Sequence, residues 1–208
     1  AGSVISGVET INLNMLVNGT TFAANAITPG TTTFGLTGGQ NFLVTGLLDA
    51  TAISLGAGYT GGVSAANANN GTADKLTVNL AGSVATSATA GASLVITAGS
   101  VEAVTLTVPA ASSIRMAGAE LFGAAGLAGS VTATGSGALN IFGTSANLGT
   151  LVLNASGIGY TGALTVSPST TGNLDFSAAA TTVTGIDAVD LKAVTGYAGT
   201  ITFDSANG

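Results

Sequence analysis

The 208-residue chain contains no cysteine, no histidine and no tryptophan, and it holds only three basic residues. Without histidine there is no Ser-His-Asp triad and no imidazole-ligated metal. Without cysteine there is no zinc finger, no thiol nucleophile and no disulfide framework. Lys75, Arg115 and Lys192 are the only bases, too few to hold a phosphate backbone, so no nucleic-acid partner is expected. Charged residues make 6% of the chain, against roughly 25% in an ordinary globular domain. Disordered chains are charge-rich and poor in apolar residues, whereas 46% of this chain is hydrophobic, so a folded domain is expected.

Long apolar runs are missing too. A spanning helix needs ~20 consecutive apolar residues. The nearest approach, Ala117 to Val131, is mostly Ala and Gly and contains Glu120, so no transmembrane segment is expected. An outer-membrane barrel wants aromatic girdles, and aromatics are 5% here. Two carboxylates for glycosidase chemistry would need tuned neighbours, which three bases cannot supply, so the chain is not expected to be an enzyme. The chain opens at Ala1 with no basic segment before an apolar core, and is taken as a mature product or an excised fragment.

What is abundant is glycine, 32 residues, with short β-branched runs between small polar residues. Apolar residues alternate with Thr, Asn or Asp in 9–14, 75–80, 104–108, 151–153, 163–166, 173–176, 188–191 and 200–203. Period-two alternation gives a strand one core face and one polar face. A short helix is expected only over Ala110 to Ala128, after Pro109.

Two repeats organise these runs. All three tyrosines sit in Gly-Tyr-x-Gly: Gly58 to Gly61, Gly159 to Gly162 and Gly196 to Gly199. An acid recurs in a short apolar frame at Glu9, Glu102 and Asp187, and the last frame runs directly into a tyrosine turn. Together they suggest a module of about 20 residues, the length of a solenoid coil. Such a module cannot bury its apolar face alone, and stacked copies make a continuous core. An all-β parallel β-helix or β-solenoid spanning 1–208 is therefore expected, with an antiparallel β-sandwich as the alternative. The tyrosines are expected to pack in the core, the alternative being a carbohydrate-binding surface.

The frame Gly7 to Leu13, together with Leu151 to Val166, resembles bacterial surface-layer proteins and large secreted adhesins exported with RTX calcium repeats. The resemblance implies an extracellular, calcium-dependent, self-assembling β-solenoid on a bacterial cell surface. Its partners would be further copies in a lattice and cell-surface polysaccharide. The RTX nonapeptide Gly-Gly-x-Gly-x-Asp is absent: neither Gly38-Gly39 nor Gly61-Gly62 continues into it. Any calcium site must then use dispersed acids, and the candidates are Glu9, Asp49, Glu102, Asp187, Asp190 and Asp204. The opposing reading makes them solvated groups or caps of loop N–H groups. Asp187 and Asp190, three apart, should lie on opposite strand faces. The GxGxxG strings at Gly56 and Gly157 precede β-type residues and are taken as turns, not dinucleotide loops. The alternative function is a glycan- or ice-binding adhesin module. A regular Thr-x-Thr ladder would support it, and the spacing of threonines along the sequence is irregular.

Overall fold

A computed structural model describes residues 6–17, 21–24, 31–48, 51–67, 75–96, 103–116, 131–149, 151, 153–156, 159–176 and 183–203. Strands come in pairs along the chain. The first coil contributes β1 (Thr10–Met15) and β2 (Thr21–Ala23), the second β3 (Thr33–Gly38) and β4 (Phe42–Leu47), the third β5 (Ala52–Leu55) and β6 (Gly62–Asn67). The fourth has β7 (Lys75–Ala81), a small hairpin of β8 (Ala85–Ser87) and β9 (Ala90–Gly91), then β10 (Ser93–Ile96). Next come β11 (Ala103–Ala110) with β12 (Ser112–Arg115), and β13 (Val131–Thr134) with β14 (Leu139–Gly143). Helix α1 (Ser145–Leu148) precedes β15 (Leu153–Asn154) and β16 (Leu164–Pro168). The last elements are β17 (Leu174–Asp175), β18 (Val183–Thr184), β19 (Ala188–Val189) and β20 (Ile201–Thr202).

The first strand of each coil joins one eight-stranded sheet, in the order β1-β3-β5-β7-β11-β13-β15-β18. The second strand joins another, β2-β4-β6-β10-β12-β14-β16-β19. We call these sheets A and B. Every pairing within them is parallel, and the hairpin β8–β9 is the one antiparallel pair among the described residues. The fold is a β-solenoid. Parallel neighbours a full coil apart exclude the antiparallel sandwich.

The core lies between the sheets and is built by alternation. In β7 the burial runs exposed, buried, half-buried, buried, so Leu76, Val78 and Leu80 point inward. In-register pairing stacks like on like: Ile11 lies beside Phe34, Phe34 beside Ile53, Ile53 beside Val78. Each fully buried Leu, Ile or Phe contributes about 1.5–3 kcal/mol. Phe22, Phe34 and Phe42 cluster near the first coils with centroids 5.4 to 6.2 Å apart.

The helix expected over Ala110 to Ala128 is corrected in its first part. Ala110 ends β11, and Ser112–Arg115 forms β12, paired in parallel with β14. The buried Ser112 and Ile114 alternate with Ser113 and Arg115, which is strand periodicity. Residues 117–128 lie outside the described residues. Helix α1 is a single turn, where Thr144 Oγ1 caps the N–H of Asn147 at 3.1 Å.

Candidate functional site

The tyrosine motif is a corner latch. Tyr59 is fully buried, Tyr160 nearly so, and Tyr197 packs against the core. The Tyr59 hydroxyl lies 3.1 Å from the carbonyl of Gln40, 19 residues upstream on the previous coil. Tyr160 donates to Gly137 at 3.0 Å, 23 residues upstream, and Tyr197 to Gly172, 25 upstream. In the first two the same hydroxyl also faces a carbonyl three residues on, Gly62 or Ala163, both at 3.1 Å. The final glycine of each motif, Gly61, Gly162 or Gly199, lies against the same upstream carbonyl. A Cβ there would overlap Gln40, Gly137 or Gly172. Three sequence coincidences thus have one cause: tyrosine and glycine converge on one oxygen of the coil beneath. The tyrosines pack, as expected, and burial pushes the Tyr59 phenol up to about 12. Burial raises Tyr160 as well, a bond involving Leu139 backbone opposes this, and the Asp187 charge adds to it.

The three candidate calcium ligands among the described residues, Glu9, Asp187 and Asp190, do not form one group. Glu9 precedes β1 at one end of sheet A, while Asp187 and Asp190 flank β19 at the opposite end of sheet B. Asp187 Oδ2 accepts the N–H of Leu164 at 2.7 Å, so it ties one coil to the next. Asp190 accepts its own loop's Lys192 N–H at 3.0 Å and lies 3.8 Å from the exposed Lys192 ammonium. Glu102, Asp49 and Asp204 lie outside the described residues. No group of three acids that could hold a metal occurs among the described residues. The frame shared by Glu9 and Asp187 opens a strand in both places, but in different sheets, so it marks strand starts and not one repeated site.

The outer face of sheet A carries what sequence spacing concealed. Thr10 pairs with Thr33, and after Ala52 the same file continues through Thr77, Thr105 and Thr132. Asn154 and Thr184 close it. A second file, two residues along each strand, holds Asn12, Gly35, Ser54, Asn79, Thr107 and Thr134. The coils differ in length, and the surplus residues fall between strands, so the files stay in register. Among the described residues, Thr10, Thr33, Thr77, Thr105 and Thr132 use no side-chain hydroxyl in a bond within the protein. Thr134 bonds along its file to Thr107 at 3.4 Å.

Sheet B is less even outside. Beside the β8–β9 hairpin an open groove of about 370 Å³ is lined by Val84, Ser113, Asn140, Phe142 and Thr165, among others. Arg115 is tied to the hairpin, where its Nε donates to the Gly91 carbonyl at 3.0 Å.

No family model matches the chain, and no curated protein or solved structure resembles it significantly. No described helix is long and apolar enough to cross a membrane.

Proposed function

We propose that this chain is a non-catalytic structural module of a self-assembling extracellular layer on a bacterial surface. The observation that carries the reading is the state of the first coil. Among the described residues β1 and β2 each have a strand partner on one side only. Ile11, Leu13 and Phe22, whose in-register partners one coil on, Phe34, Leu36 and Val44, are fully buried, are themselves only partly buried, and Leu16 and Val17 are each 73% exposed. A parallel edge with free N–H and C=O groups above an apolar interior is a template for another strand. A further coil stacked on this edge would bury both at once, and in a self-assembling layer a neighbouring molecule would supply it. The lack of histidine and cysteine supports a non-catalytic role.

Electron microscopy of the purified chain in calcium and in EDTA tests this. Ordered sheets or filaments are expected. Assembly lost in EDTA would support calcium dependence through acids beyond those described. A monodisperse monomer in every condition would overturn the proposal.

A further inference from the structure

We infer that the outer face of sheet A is an ice-binding face, on which two files of short polar side chains hold water in a lattice-like order. This goes beyond the structural role and does not depend on it.

The argument starts from spacing. Rungs of a parallel sheet lie about 4.8 Å apart, and alternate residues along a strand about 6.6 Å apart. The two files therefore form a rectangular grid with those two repeats. Water oxygens on a prism face of hexagonal ice repeat at similar distances in two perpendicular directions. The grid is best developed across β7, β11 and β13, where Thr77 and Asn79, Thr105 and Thr107, and Thr132 and Thr134 stand side by side.

Chemistry points the same way. Threonine offers a hydroxyl for hydrogen bonding and a methyl around which water forms cages. Thr77, Thr105 and Thr132 keep their hydroxyls unused by the protein among the described residues. In the two files no described side chain is charged or aromatic, and none is longer than Asn. Lys75 stands beyond them at the start of β7. A charge would impose its own hydration shell. An oligosaccharide would want an aromatic platform, which this face does not offer. A second copy laid face to face would have to strip water from the free hydroxyls, at a cost for each one left unpaired. The scaffold is already ordered by the core beneath, so little conformational entropy is lost when the face meets a solid.

The test uses the whole chain, fluorescently labelled, in a growing ice hemisphere, with thermal hysteresis read in parallel. The wild type should enter the ice and shape crystals. The double variant Thr105→Lys with Thr132→Lys places two charges on outward positions and should abolish ice entry. Its circular dichroism and melting temperature should stay near wild type. The pair Thr105→Ser with Thr132→Ser, which keeps the hydroxyls and drops the methyls, should fall between. Ser64→Lys on the outer face of sheet B should behave as wild type. Exclusion of the wild type from ice overturns the inference, as does undiminished entry of the folded double lysine variant. Exclusion from ice combined with a dimer broken by the same variant would mark the face as a self-contact, and binding only to crystalline polysaccharide would mark it as a glycan surface. Either result also overturns the inference.

Discussion

The hydroxyl of Tyr160 donates to the carbonyl of Gly137 on the coil beneath, at 3.0 Å, and Gly162 lies against that same oxygen. One carbonyl therefore receives a polar contact and a steric one from a four-residue string. The geometry recurs at Tyr59 over Gln40 and at Tyr197 over Gly172. A turn built this way closes its own corner and fixes its height on the coil below.

Removing the ring should cost far more than removing the hydroxyl. Tyr59→Ala leaves a cavity in a fully buried site and should destabilise by about 3–5 kcal/mol. Tyr59→Phe keeps the apolar contact and loses the bond to Gln40, for about 1–2 kcal/mol. Urea denaturation of both variants checks the order. Equal losses would mean that the hydroxyl, not packing, dominates.

Gly162→Ala adds one methyl group, and that group meets the Gly137 carbonyl and the Tyr160 hydroxyl. The coils must separate or the latch must open, at about 1–3 kcal/mol. Gly58→Ala should also destabilise, for a different reason. Its φ of +75° is a left-handed conformation that alanine resists, although nothing lies within 4 Å of the added atom. Thermal melts of the two variants, with Tyr160→Phe added to each, separate the causes. The added change should relieve part of the strain at Gly162 and none at Gly58.

Alkali should unfold the protein in a defined window. Tyr59 titrates at about 12 in the folded state, against about 10 when unfolded. A raised tyrosine pKa means that the neutral phenol is favoured by folding. Its contribution is complete below pH ~10 and is lost as pH rises toward ~12. Denaturant midpoints measured from pH 8 to 12 should fall across that range, and Tyr59→Phe should flatten the fall. A profile identical in wild type and variant would remove Tyr59 as its source.

Asp187 is expected to act as a backbone cap. Asp187→Ala deprives the Leu164 N–H of its 2.7 Å acceptor and should cost about 1–2 kcal/mol. Asp187→Asn retains an acceptor oxygen and should recover most of it. The loss should be the same in calcium and in EDTA. A loss seen only with calcium would make Asp187 a ligand instead.

Strand identity and the solenoid class were legible in the sequence because alternation and glycine punctuation are local. Residues two apart on a strand share a face whatever the rest of the chain does. The runs 75–80 and 104–108 lie in β7 and β11, and the three Gly-Tyr-x-Gly strings lie at corners. Other strands escaped notice. Ser112–Arg115 hides its pattern because one of its two inward residues, Ser112, is polar, and its Ala-rich surroundings mimic a helix. Neighbour relations across coils were not legible at all. Thr105 and Thr132 share a file only because the residues between β11 and β13 bring the chain back into register. Glu9 and Asp187 share a sequence frame yet stand at opposite ends of different sheets. Side-chain periodicity is set by backbone geometry within a strand, but register between strands is set by hydrogen bonds between residues a full coil apart. Only the stacked structure decides which threonines stand in line and which acids never meet.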